Sequence, residues 1–306
     1  MRTPILLAVA VVLAAHGLAR AQEIEPRSYS PGPVGMNFAG LSVLDTRGGV
    51  AVDPTLPLDN VDVRLESVMP GYSRSFGLAG RAASASLAVP YAWGDIAGDV
   101  GEDRREVRRA GFGDTRLRVA VNIAGNPART PAQYAASAPA TTLGASLTVV
   151  APTGEYRADR LVNLGTNRWA FKPEVGLYQP LGPWAVELSA GAWFFTDNDD
   201  FFGGVRRQQD PLATAQLHVA YTFRPRLWIA ASSTWYGGGE TTIDGTERAD
   251  RQDNTRVGLT LSVPVARDWS VKLGWSDGVT TRIGSDFSTV ALALQYAWLA
   301  GPALPR

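Results

Sequence analysis

The sequence predicts an all-β fold: a transmembrane antiparallel β-barrel of about twelve strands, of the outer-membrane type. Three features predict it. An export signal opens the chain, apolar residues alternate with small or polar ones from Asn37 to Trp298, and the connections between these segments alternate between tight and long.

At the N-terminus, Arg2 precedes the apolar run Ile5–Ala15, and Ala19-Arg20-Ala21 precedes Gln22. That is the layout of a secretory signal peptide, 1–21, cleaved after Ala21. A helical anchor needs ~20 continuous apolar residues, and His16, Gly17 and Arg20 interrupt this run first. No later stretch is apolar enough to span as a helix. A membrane-resident mature chain must then be a closed barrel, because every backbone N–H and C=O in hydrocarbon has to be paired internally. The Pro-rich stretch 22–36 is expected as a periplasmic lead-in, 37–298 as the barrel and 299–306 as a short C-terminal tail.

The alternation is clearest in the last segment, where Val290, Leu292, Leu294, Tyr296 and Trp298 share one face and Ala291, Ala293, Gln295 and Ala297 the other. Side chains one apart point to opposite faces of a strand, so this pattern marks a wall with unlike sides. Leu217, Val219, Tyr221 and Phe223 oppose Gln216, His218, Thr222 and Arg224 in the same way, and Val257, Leu259, Leu261 and Val263 oppose Arg256, Gly258, Thr260 and Ser262. Strands are expected near 37–45, 60–76, 79–93, 107–124, 141–151, 168–180, 183–196, 210–224, 226–237, 251–265, 268–280 and 286–298. Tight turns fall at Leu181-Gly182-Pro183, Arg224-Pro225-Arg226 and Ala266-Arg267-Asp268; long polar connections fall at 46–59, 94–106, 153–167, 197–209 and 238–250. Short periplasmic turns with longer external loops describe an outer-membrane barrel, whereas a soluble sandwich gives no reason for such alternation. The connection 125–140 is long although it falls on the short-turn side, and a helical turn is expected there.

Aromatic side chains gather at segment ends, as rings do at the two membrane interfaces. Tyr91, Trp93, Trp169, Phe194, Phe195, Trp235, Tyr236 and Trp275 fall near the long-loop ends; Phe76, Trp184, Phe223, Trp228, Trp269 and Trp298 fall near the tight-turn ends. A soluble core filled by the same rings is the plainer alternative.

Composition excludes several functions. With no Cys, disulfide frameworks, thiol catalysis and thiolate metal sites are out together. Lys and Arg number 29 and Asp and Glu 29, so no charge excess recommends nucleic acid as a partner. A charge facing lipid near mid-membrane costs ~2–4 kcal/mol, which drives charges of the polar face inward. By parity the lumen candidates are Asp62, Arg64, Glu66, Arg116, Arg118, Lys172, Glu174, Glu187, His218, Arg256 and Lys272. They can set the selectivity of an aqueous pore or pair across a narrow barrel and plug it; both readings stand, and paired charges can form a constriction.

Enzymatic readings are weak. His218 is the one histidine beyond the signal peptide, and a hydrolase centred on it with nearby acids is the alternative from another class. The acidic run Asp197-Asn198-Asp199-Asp200 offers hard oxygen ligands for calcium, but Phe201 and Phe202 interrupt the EF-hand pattern. A solvated external loop fits it better, with the two Phe dipping into the outer interface. Gly237-Gly238-Gly239-Glu240 and Gly32-Pro33-Val34-Gly35 lack the strand-to-helix context of phosphate loops.

Five stretches, Glu25–Phe38, Gly111–Arg118, Ala151–Tyr156, Gly165–Glu174 and Trp193–Gly204, resemble the family of outer-membrane transporters named for the MetA pathway of phenol degradation. The resemblance spans most of the chain beyond the signal. It implies an outer-membrane barrel with a transport role, sometimes linked to catabolism of aromatic compounds, and supplies no catalytic or substrate-binding residues. The expected function is therefore passive uptake of small solutes, apolar or aromatic ones included, without a cofactor or metal and without catalysis. A closed structural or adhesion barrel is a third reading. Expected partners are outer-membrane lipid and lipopolysaccharide, the solute, and the barrel-assembly machinery.

Overall fold

Hydrogen-bonded closure organises the chain. The computed structural model describes residues 24–51, 58–100, 103–160 and 162–300; the expected signal peptide 1–21 with its expected cleavage point, and 301–306 of the expected tail, lie outside the described residues. The wall strands are β1 (Met36–Ala51), β2 (Leu58–Leu78), β3 (Arg81–Ala88), β6 (Thr115–Ala124), β7 (Thr142–Ala151), β8 (Ala170–Leu181), β9 (Trp184–Phe195), β12 (Leu212–Arg224), β13 (Leu227–Gly238), β16 (Gln252–Pro264), β17 (Trp269–Thr281) and β18 (Gly284–Leu299). Each pairs antiparallel with its neighbour, and β1 pairs on one side with β18, from Met36↔Leu299 to Ala51↔Gly284, and on the other with β2, from Asn37↔Arg74 to Gly49↔Asp62. The result is a closed twelve-strand barrel. Every segment expected as a strand holds one, but 79–93 and 107–124 are each divided in two, at Val89-Pro90 and at Gly113-Asp114.

The expected loops are partly strand. Thr46–Ala51 of β1 and Leu58 onward in β2 continue the ladder, and 94–106 belongs mostly to a hairpin of β4 (Tyr91–Val100) and β5 (Asp103–Phe112) that prolongs β3 and β6. The prolongation bends at Val89-Pro90, where proline has no N–H for the ladder, and at Gly113-Asp114. Polar composition marks these strands as lying beyond the hydrocarbon, not as irregular.

This height difference overturns one set of lumen candidates. On β2, Val61, Val63 and Leu65 are buried while Arg64 and Glu66 are exposed and Asp62 half-exposed. Asp62, Arg64 and Glu66 point outward. Parity assigned the apolar face to lipid, but here the wall stands above the membrane: its outer face meets water, and its inner face packs on Ala92, Ile96, Val162, Leu164 and the fully buried Phe287. Lower on the same strand the pattern inverts, with Tyr72 and Leu78 exposed and Met69, Gly71 and Ser73 facing the lumen.

Two aromatic clusters belt the tight-turn end: Tyr72, Trp298, Tyr296 and Trp269, with successive centroids 6.1, 5.3 and 4.9 Å apart, and Trp184, Tyr221 and Phe223, at 4.8 and 4.9 Å. Trp169, Phe194, Trp235 and Trp275 are exposed toward the other end. Trp228 and Tyr236, expected in the belts, are instead buried on the inner face, and Phe195 lies under Arg168, 4.6 Å from its ring.

External loops add a small sheet, β10 (Asn198–Phe201), β11 (Val205–Gln209), β14 (Thr241–Ile243) and β15 (Thr246–Glu247). Phe201 does not dip into the interface; it packs with Ile243 in this sheet's own core. Asp197 and Asp199 both pair with Arg206. The family-like stretches meet nearby. Buried Asp114 accepts from the Gly154 N–H and from the Thr166 N–H and hydroxyl, at 2.9, 2.9 and 2.6 Å, while the Asn167 amide donates to Asn198 at 2.8 Å. These residues fasten loop 152–169 over the bend. On the opposite rim, 125–141 holds the expected helical turn, α1 (Pro131–Ala135), with a capping box between Thr130 and Gln133.

Leu217→Arg, at a lipid-facing mid-strand position, is expected to lower folding stability in lipid vesicles by ~2–4 kcal/mol, whereas Arg64→Leu changes it little; equal losses would contradict the inverted faces of the wall. Asp114→Ala, leaving three donors unmet at ~1–3 kcal/mol each, is expected to expose 152–169 to protease with the barrel strands still protected.

Candidate functional site

Inside the membrane-spanning part the wall has two unlike halves. One half, from β6 through β17, carries the inward charges: Arg116 and Arg118 on β6, Lys172 and Glu174 on β8, Glu187 on β9, His218 on β12 and Lys272 on β17. The other half, β18 with β1 to β3, presents Phe38, Met69, Ser42, Ser73, Ser84, Ser86 and Gln295 among its lining residues and, among those described, none with charge. Between them lies a cavity of about 840 Å³, reaching from the tight-turn rim to the level of Arg116.

The stretch 24–36, expected as a periplasmic lead-in, is not outside the barrel. Its residues Ile24 to Pro33 line the cavity and lie against the charged half. The Ser28 and Tyr29 N–H groups donate to the two oxygens of Glu187 at 3.1 and 3.2 Å. The Tyr29 hydroxyl donates to Glu174 Oε1 at 2.9 Å and stands 2.9 Å from Ser146 Oγ. The Tyr29 ring lies on two glycines: Gly144 and Gly176 pair across β7 and β8, a Cβ on Gly144 would stand 2.6 Å from Tyr29 Cδ1, and one on Gly176 would overlap the other edge. The helical turn seals the entry, with the Tyr134 hydroxyl donating to Pro31 O at 2.9 Å and the Val34 N–H to Arg129 O at 2.9 Å. The segment's N–H groups supply the donors that the buried carboxylates need.

The candidate charges therefore do two jobs. Glu174 is held by Lys172 Nζ at 2.9 Å and lies 3.9 Å from Arg118 Nη2, so pairing and constriction coexist. Arg118 also lies 5.0 Å from the Tyr29 ring. Arg256 faces inward, but at the external end, where it donates to Phe287 O at 2.6 Å and is structural. His218 Nδ1 is 2.8 Å from Ser232 Oγ. Its cross-strand neighbour Glu187 has both oxygens engaged by the inserted segment.

Parity found most of the lumen charges but missed Tyr29, Arg27, Trp193 and Trp228. Trp193 has Arg116 at 5.8 Å and Lys172 at 5.4 Å; Trp228 has Arg27 at 5.4 Å and Lys272 at 5.9 Å. One signal was present in the sequence: glycines at inward positions of adjacent strands, a place where another group approaches closely.

Among solved structures the chain is similar to an outer membrane channel from Pseudomonas putida F1, with TM-score 0.75 and 23% identity over 90% of this chain and 100% of that one. It is similar to the transport unit of the autotransporter AIDA-I from Escherichia coli, with TM-score 0.53 and 9% identity over 96% and 99%. Both are likenesses of fold. No curated protein sequence matches the chain significantly. A family model described as "Putative MetA-pathway of phenol degradation" matches residues 42–293, which is most of the barrel, and the chain belongs to that family.

Proposed function

We propose that this barrel is a passive outer-membrane channel for small solutes, apolar or aromatic compounds among them, without a catalytic step. One observation carries the reading: a polar, charge-bearing inner face encloses a cavity of about 840 Å³ that the inserted segment narrows but does not fill. A purely structural barrel has no need of charges whose burial costs several kcal/mol each without compensation. The inserted segment is the constriction, and its hold on Glu174 and Glu187 sets how wide the path is. In the outer membrane the tight-turn rim with α1 faces the periplasm, as short turns do, and the aromatic clusters meet lipid there.

Reconstitution in planar bilayers tests this. The wild type is expected to conduct, and Tyr29→Ala to conduct several-fold more because the ring leaves the lumen; silence of both, with no liposome uptake of any solute tried, returns the protein to the closed structural reading. The segment itself is expected to loosen in Glu187→Ala, which removes two charge-assisted hydrogen bonds worth ~1.5–3 kcal/mol each. Since the chain has no native cysteine, Ser28→Cys reports this cleanly: its thiol should react faster with a polar maleimide in the Glu187→Ala background, and an unchanged rate would mean that Glu187 does not hold the segment.

A further inference from the structure

We propose that the lumen prefers small organic anions with an apolar body; this rests on reading it as a passage. The chain as a whole is neutral, yet the charges lining the cavity are not balanced. Six cations, Arg27, Arg116, Arg118, Lys172, Arg226 and Lys272, face three acids, Glu25, Glu174 and Glu187, a formal excess of six minus three, or three positive charges. Glu174 accepts from Tyr29 and Lys172, and Glu187 from two backbone N–H groups; the Lys172–Glu174 pair removes one charge of each sign and leaves the excess of three unchanged.

Four of these cations stand at two levels, one on each side of the Tyr29 constriction, and Arg118 lies at the constriction itself, 5.0 Å from the Tyr29 ring. Arg116 and Lys172 surround Trp193 toward the external end, and Arg27 and Lys272 surround Trp228 toward the tight-turn rim. A low-dielectric wall focuses such a field into the lumen and raises the local concentration of anions. Facing these clusters across the cavity are Phe38, Met69 and serine hydroxyls with no charge among the described lining residues. A solute crossing this slot meets cations on one side and apolar and hydroxyl groups on the other. An aryl carboxylate satisfies both; a metal cation satisfies neither, and a neutral aromatic alcohol satisfies one.

Full-length protein in a planar bilayer under a potassium chloride gradient is expected to reverse on the chloride side, with chloride several-fold more permeant than potassium. Lys272→Gln and Arg116→Gln should each shrink that preference at low salt, and the difference should fade near 1 M salt, where the Debye length is about 3 Å. Benzoate is expected to reduce chloride current at concentrations at which benzyl alcohol does not. In detergent, independently of conduction, benzoate should raise the thermal midpoint of the wild type more than benzyl alcohol does, and Lys272→Gln should remove that difference. A channel that conducts without anion preference, or with a preference for potassium, overturns the proposal and leaves the channel reading intact. Absence of all current counts against the channel reading, and the detergent measurement then decides the anion preference: equal midpoints with benzoate and benzyl alcohol overturn it.

Discussion

The structure depends on closing one hydrogen-bond ladder. In hydrocarbon an unpaired backbone group costs several kcal/mol, and a sheet with two free edges would expose many. Pairing β1 with both β18 and β2 removes the edges. Closure then dictates the rest, because it creates an inside and an outside and obliges each strand to present different chemistry to each. The small residues of β1 and β18, such as Gly40 and Ala293 on the lumen side, and the leucines of the outer face follow from that division.

A closed polar interior creates a second problem, since its charges lose bulk water and need partners. The N-terminal segment supplies part of the answer. Its backbone N–H groups and one tyrosine hydroxyl satisfy Glu187 and Glu174, and the paired glycines 144 and 176 make room for the ring. The charged half-wall and the inserted segment thus specify each other. The opposite half-wall, which carries no charge among its described lining residues and mixes Phe38 and Met69 with serines, glycines and alanines, borders the remaining space.

The chemistry of the wall also records where the membrane ends. Along β2 the odd-numbered side chains face inward throughout, yet they change from Val61, Val63 and Leu65 to Met69, Gly71 and Ser73 as the strand descends, while the outward ones change from Arg64 and Glu66 to Tyr72 and Leu78. Above the bilayer the strand behaves as soluble sheet, with an apolar core of its own; within it the pattern reverses because the solvent does.

Twelve strands, the short and long connections, the helical turn in 125–140 and the inward direction of Arg116, Lys172, Glu174, Glu187, His218 and Lys272 were legible in the sequence, because side-chain alternation has a period of two and turn residues mark its interruptions. Parity, however, tells only that two faces differ. Which face meets lipid depends on height above the membrane, a property of the assembled wall, and for that reason Asp62, Arg64 and Glu66 were assigned to the wrong side. The belts went astray at Trp228 and Tyr236 for a related reason: position near a strand end says nothing about direction. The fate of residues 24–36 was least legible. A short Pro-rich stretch carries no periodicity, and its place was decided only when closure brought Ser146, Glu174 and Glu187, far apart in the chain, around one tyrosine.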